Sequence, residues 1–257
     1  DPADVPALPQ VGLTVLPTRT IYEFRGAGVQ VTLTFMTPML PDDLDILSRP
    51  VTYLTWDVRA LDVKPHAVQV YYDHSAELTV DVPDQAVVWS REKIGEMTVL
   101  RQGSKDQPIL AKPGDNRRID WGYMYVAATA EAAAKGALAS GKVTRGAFAA
   151  GKALPADDTR MPRPAMDEDP AAAMVLDLGK VGAAAVSRTL ILAYDDIYAI
   201  EYFQTRLRPY WRRGGMEAAD LLKKSAEEFE ALAKRCRAFD EELMADFTKA
   251  GGEKYAR

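Results

Sequence analysis

Val29-Gln30-Val31-Thr32-Leu33-Thr34-Phe35 sets valine, leucine and phenylalanine on one side of an extended chain and glutamine and threonine on the other. A period of two sustained over a whole segment predicts a half-buried β-strand. Immediately before it, Arg25-Gly26-Ala27-Gly28 carries the punctuation of a hairpin, with Thr20-Ile21-Tyr22-Glu23-Phe24 as the preceding strand. Outward from this pair, Leu13–Leu16, Val51–Val58 and Ala67–Asp73 also read as strands. Further strands are expected at Glu77–Val80, Ala86–Trp89, Met97–Leu100 and Trp121–Val126. Pro38, Pro41, Pro50, Pro65 and Pro83 fall between these runs, where a missing N–H is tolerated. Many short strands separated by polar turns predict an antiparallel β-sandwich, and a mainly β protein.

Two segments break the pattern. Ala127–Lys135 is alanine-rich and fits either a short helix or a strand running into a loop, and Leu154–Pro170 holds four prolines among acidic residues. Together they predict an exposed loop excursion over about 131–172. The strands Ala173–Leu178 and Ser187–Ala193 then close the sandwich. From Tyr194 the pattern turns helical, with Ile197, Ile200, Phe203 and Leu207 three to four residues apart, and Gly214-Gly215 interrupts it. Residues 216–249 form one long amphipathic stretch. Leu222, Phe229, Cys236 and Leu243 are seven apart, with Leu232 and Phe239 between them. The expected organisation is a β-sandwich domain over 1–192 and a helical region over 193–257. A lone helix cannot bury such a stripe, so its partner must be the sandwich, more helices or another chain.

The chain has 257 residues and a net charge of −5. That balance argues against nucleic acid or an anionic membrane surface as partner, since both need a basic face. Cys236 is the only cysteine, so no disulfide forms within the chain, and with only His66 and His74 a zinc centre is not expected. No metal and no cofactor is predicted. The chain opens on Asp1-Pro2 without an initiator methionine and stops soon after the long amphipathic stretch. It is expected to be a piece of a longer protein, with the rest of the helical region as its partner.

Three places carry candidate chemistry. Asp73-His74-Ser75 has the residue types of a catalytic triad, but adjacent strand residues point to opposite faces, so a strand-end turn is the better account. Asp120-Trp121 stands at the head of the aromatic run that includes Tyr125. A carboxylate beside an indole suits a polar small molecule, and Trp121 and Tyr125 are the candidate substrate-binding residues, although a turn aspartate and core aromatics also account for the pattern. Asp195-Asp196 lies where strand gives way to helix. One carboxylate there is accounted for as a helix cap. The pair also suits acid–base chemistry, which makes Asp195, Asp196 and Asp120 the candidate catalytic residues.

Four segments taken together resemble the glutaminase A family of fungi and bacteria. They are Thr34–Leu44, Ser48–Leu54, Arg118–Tyr123 and Ala193–Phe203, and Phe239–Leu243 with Gly251–Tyr255 adds a fifth. The resemblance implies an N-terminal supersandwich-like β domain followed by an α/α toroid of the six-hairpin kind, of which this chain would hold the sandwich, a linker helix and the first long helix. It implies a secreted or periplasmic hydrolase of L-glutamine, active only with the rest of the toroid. The same architecture leaves a carbohydrate-active hydrolase and a non-catalytic scaffold as alternatives. The resemblance assigns no nucleophile here.

Overall fold

In a computed structural model, which describes residues 5–132 and 134–256, Val29–Met36 is a strand within a large antiparallel sheet. In chain order the elements are β1 (Gln10–Val15), β2 (Arg19–Gly26), β3 (Val29–Met36), α1 (Leu44–Leu47), β4 (Val51–Ala60), β5 (His66–Ser75), β6 (Ala86–Ile94) and β7 (Met97–Ser104). There follow β8 (Tyr123–Ala128), β9 (Ala134–Ser140), α2 (Gly141–Ala149), β10 (Arg163–Pro164), β11 (Pro170–Val181) and β12 (Val186–Asp195). The chain continues through β13 (Ile200–Tyr202), β14 (Thr205–Leu207), α3 (Ala218–Gly251) and α4 (Glu253–Ala256). The large sheet has the order β1-β2-β3-β4-β12-β8-β7-β6-β10, and a smaller one has the order β5-β11-β9. The predicted hairpin joins β2 to β3 through Ala27 and Gly28, both at positive φ (49° and 78°). That is the primed turn whose twist suits paired strands. A Cβ on residue 28 would meet the His66 ring, so glycine is required there.

Period-two patterning gives each strand of the large sheet two jobs. Leu54, Trp56 and Val58 of β4 point toward the small sheet, where Met174, Leu176 and Leu178 of β11 meet them in the sandwich core. Val51 and Tyr53, on the opposite face, join Ile191, Val99 and Tyr125 against Leu221, Leu222, Leu232 and Cys236 of α3. The molecule is therefore three layers deep: small sheet, large sheet, long helix. The mainly β architecture with a long C-terminal helix is as expected, and the partner of the stripe is the sandwich itself over Leu221–Asp240. At about 1.5–3 kcal/mol for each large apolar side chain fully buried, Leu221, Leu222 and Leu232 outweigh the exposed ion pairs on the helix surface. Beyond that point Phe247 is covered by Tyr255, as α4 turns back (ring centroids 6.1 Å apart).

Polar groups fix the helix in register. The Thr18 N–H and hydroxyl both donate to Asp240 at 2.8 Å, and Arg19 Nε donates to its other oxygen at 2.6 Å. Tyr53 donates to the Ser225 carbonyl at 2.9 Å, and Arg49 pairs with Glu228 at 2.5 Å. Glu217 and Asp220 form a capping box at the start of α3.

Three expected elements differ. Tyr194–Leu207 is not a helix: β12 runs on to Asp195, Ile197 turns at φ 59°, and β13 and β14 form a small hairpin. The three-to-four spacing does not mark a buried face, since Ile200, Phe203 and Leu207 are all exposed. In place of the expected strand Glu77–Val80 there is a 3-10 turn over Ala76–Thr79, because the Ser75 hydroxyl takes the Glu77 N–H and Thr79 donates to the Ala76 carbonyl at 2.8 Å. Such local side-chain bonds compete with the ladder. The segment 131–172 is no mere loop excursion. It supplies β9 and α2, and β9 pairs with β11, placing Ala137 and Ala139 beside Ala173 and Ala171. Ala137 and Ala139 are buried because two strands meet there under the large sheet. Ala133, within this stretch, lies outside the described residues.

Candidate functional site

β8 and β12 lie side by side, with Tyr125 opposite Ala193, Met124 opposite Tyr194 and Tyr123 opposite Asp195. This register brings the Asp120-Trp121 segment against Asp195-Asp196. Gly122 permits the approach. Its φ is +85°, and a Cβ there would collide with the Asp195 carbonyl. Tyr194 donates its hydroxyl to the Trp121 carbonyl at 2.7 Å, and the Trp121 indole donates to the Tyr198 carbonyl at 3.2 Å. Both bonds cross from one segment to the other.

The two aspartates have different surroundings. Asp195 is buried, and both its oxygens are taken by the Arg212 guanidinium. Oδ1 also accepts the Ile197 N–H at 2.9 Å. Arg212 is itself buried and reaches Glu217 with its remaining nitrogen, so the end of β12 is fastened to the start of α3. Asp196 is half-buried and makes no ion pair with the described residues. Burial, and then the neighbouring Asp195 charge, raise its pKa above the usual carboxylate value.

Beside Asp195 opens a pocket of about 350 Å³, lined in part by Tyr125, Arg212, Glu217, Arg101 and Glu92. Tyr125 is buried, and burial pushes its hydroxyl up to about 12, so it remains a donor at ordinary pH. Arg101 lies 4.6 Å from the Tyr123 ring centre and pairs with Glu92 at 3.2 Å. The pocket thus joins one predicted catalytic residue, Asp195, to one predicted binding residue, Tyr125. Asp196, the next residue, is not in its lining. Asp120 is buried in another direction, where Gln85 donates to it at 2.9 Å and Lys112 lies at 3.7 Å. Trp121 is half-buried between the two segments.

Sequence reasoning missed Arg212, Glu217, Arg101 and Glu92. Arg101 had one signal, since it follows Met97 and Val99 at core-facing spacing in β7 yet is charged. Arg212 had none, because its partner lies across a chain reversal. Among the described residues no group of three or more His, Cys, Asp or Glu could hold a metal ion, and no helix is long and apolar enough to cross a membrane.

Asp73, His74 and Ser75 diverge. Asp73 binds the Tyr71 hydroxyl at 2.7 Å and Arg145 at 2.6 Å, while Ser75 caps the following turn. His74 is buried with Nδ1 3.2 Å from the Tyr72 hydroxyl, and its Nε2 has no hydrogen-bond partner among the described residues. Burial lowers its pKa to about 4. The unfolded chain then takes up a proton below about pH 6.5 that the folded chain refuses. Its contribution is therefore complete above about pH 6.5 and falls by up to about 3 kcal/mol as the pH drops toward 4. Urea unfolding of the protein and of His74→Gln between pH 7 and 4.5 checks this. The parent is expected to lose more stability than the variant, and parallel losses would assign the pH dependence to other groups.

A family model described as "Domain of unknown function (DUF5127)" matches residues 18–246. Glutaminase A of Aspergillus oryzae is 26% identical, over 98% of this chain and 37% of its own length. The chain thus spans little more than a third of that curated relative, and corresponds to its N-terminal portion. Among solved structures, a human-microbiome protein named as a candidate kojibiose phosphorylase has a TM-score of 0.42 at 9% identity, over 87% of this chain and 23% of its own. Likeness at that level assigns no fold.

Proposed function

Because this chain belongs to the DUF5127 family, a domain of unknown function, we propose that it is the sandwich-and-helix portion of a glutaminase-A-like amidohydrolase, with Asp196 as its acid–base carboxyl. The similarity to glutaminase A supports the reaction class. The observation that carries the site is the division between the two aspartates. Asp195 is committed to Arg212 and the Ile197 N–H, and Asp196 has a raised pKa. Such a division separates a positioning group from a proton-transferring one.

In the proposed reaction a water oxygen attacks the side-chain carboxamide carbon of L-glutamine. Asp196 takes the proton released by that water and passes it to the nitrogen as the C–N bond breaks, giving glutamate and ammonia. Asp196 does not line the pocket that holds Arg101 and Tyr125, so neither residue is assigned a contact with the reacting carboxamide. The rest of the longer protein is proposed to complete the site.

The test is ammonia release from L-glutamine by the full-length protein. Asp196→Asn is expected to lower kcat by about 10²–10⁴-fold with little change in KM. Stability separates this from unfolding. A carboxyl with a raised folded pKa contributes stability below its unfolded pKa and loses it as pH rises through the folded value. The variant should therefore be no less stable than the parent at pH 7, and any gain should vanish toward pH 4. Unchanged turnover in both Asp196→Asn and Asp120→Asn would favour a scaffold. Release of reducing sugar in place of ammonia would favour a glycoside-cleaving enzyme.

A further inference from the structure

We propose that the cleft between the large sheet and the middle of α3 binds a small, neutral, polyhydroxylated molecule of mono- or disaccharide size. The cleft has a volume of about 510 Å³ and is separate from the Asp195 pocket. That volume lies within the range of small-molecule sites.

The cleft exists because two patterns change at the same level. On the helix-facing side, β4 reads Val51, Tyr53, Thr55, Asp57, and its partner β12 reads Ala193, Ile191, Thr189, Ser187. The first half of each is apolar and packs beneath α3. The second half is polar. Thr34, Thr55 and Thr189 are direct neighbours across three strands, so three threonines stand in a row on strands about 4.8 Å apart. Thr55 and Thr189 share a hydrogen bond of 2.9 Å, and Ser187 donates to Asp57. Above this row the helix becomes small: Ala226 and Ala233, seven residues apart, both line the cleft. Leucines and valines at these positions would fill the space, and polar floor residues beneath an amphipathic helix break the rule for a packing surface.

The remaining lining selects the ligand class. Phe229, in tilted contact with Tyr53 (5.1 Å between centroids), offers an apolar ring beside the hydroxyl row. The charges cancel, with Arg19, Arg188 and Arg237 against Asp57, Glu131 and Glu230. Two of the arginines are already committed: Arg19 to Asp240, and Arg188 to the Asp177 and Ser187 carbonyls. Glu230 and Arg237 make no ion pair among the described residues and stand two helical turns apart on the cleft side. Hydroxyl acceptors and donors on the floor, one ring, and the uncommitted Glu230 carboxylate and Arg237 guanidinium at the rim suit a body with hydroxyls on its edges and C–H groups on a face. A strongly charged ligand meets no net field there, and an apolar one would leave the spare hydrogen-bonding capacity of the threonine row unused.

Isothermal titration calorimetry of the full-length protein with D-glucose, maltose, myo-inositol and L-glutamine tests the proposal. At least one of the three polyols is expected to bind saturably below about 100 mM. Ala233→Leu, which fills the cleft and keeps a strong helix former, should weaken that binding at least about tenfold. Thr55→Val, which removes one floor hydroxyl, should weaken it too, and serves if the leucine variant misfolds by circular dichroism. Asp196→Asn should leave it unchanged, so the outcome is independent of the amidohydrolase assay. No saturable polyol binding, binding of L-glutamine alone, or polyol binding that survives both cleft variants would overturn the proposal.

Discussion

Arg212→Ala is expected to destabilise the protein by about 3–5 kcal/mol, because it leaves a buried carboxylate without its counter-charge. Asp195 and Arg212 are both buried, and they meet through two parallel N–H···O bonds. Asp195 also accepts one backbone N–H, from Ile197. Removing the guanidinium also takes one of two arginine partners from Glu217, which caps the start of α3 and keeps its pair with Arg208. The change therefore reaches both the end of β12 and the helix packed on the sheet. Equilibrium urea unfolding measures it. Asp195→Asn combined with Arg212→Leu is expected to recover much of the loss, since an apolar and neutral pair avoids the uncompensated charge. A loss below about 1 kcal/mol for Arg212→Ala would mean that water reaches Asp195 and that the pair behaves as a surface ion pair.

The same pair shows how far sequence alone reaches at this site. Asp195-Asp196 and Tyr125 were identifiable because acidic pairs and aromatics at strand ends are unusual for a plain core. What Asp195 does was not legible, since its partner arrives seventeen residues later through a chain reversal. The helical expectation for Tyr194–Leu207 failed for a related reason. Ile197, Ile200, Phe203 and Leu207 satisfy a helical spacing by chance, while Ile200 to Tyr202 and Thr205 to Leu207 each step by two within a short strand. Asp195 settles the choice by accepting the Ile197 N–H and holding a turn where a helix would have begun.

Strands such as β3 and β4 were legible because each has a clear apolar face toward the sandwich core. The alanine-rich β9 was not, because alanine suits helix or tight strand packing equally well. The choice is made by Ala171 and Ala173 on the neighbouring strand, thirty or more residues away. Long α3 was the easiest element, since its stripe repeats over many turns and an apolar part of the sheet face receives it. Local period identifies an element when one face dominates, and fails where small or exposed residues leave the decision to tertiary neighbours.

Asp240→Ala is expected to cost about 3–5 kcal/mol, the other large effect, and to loosen the far half of α3 in particular. The carboxylate is buried beneath the helix and accepts three hydrogen bonds from a segment more than two hundred residues earlier: two from Thr18 and one from Arg19. Its removal strands a buried backbone N–H and leaves Arg19 without its counter-ion. Asp240→Asn keeps one accepting oxygen and is expected to recover roughly half of the loss. Because the buried Leu221 and Leu222, the Tyr53–Ser225 bond and the Arg49–Glu228 pair hold the first turns of the helix independently of Asp240, those turns should stay protected. Amide hydrogen exchange distinguishes the two halves. In the alanine variant, residues 232–250 should exchange much faster while residues 221–229 change little. Equal loss of protection along the whole helix would show that α3 docks as one cooperative unit and that Asp240 is not a separate anchor. Arg19 also lines the cleft under α3, so the same variant should weaken any ligand held there without altering the Asp195 pocket, which lies at the other end of the helix.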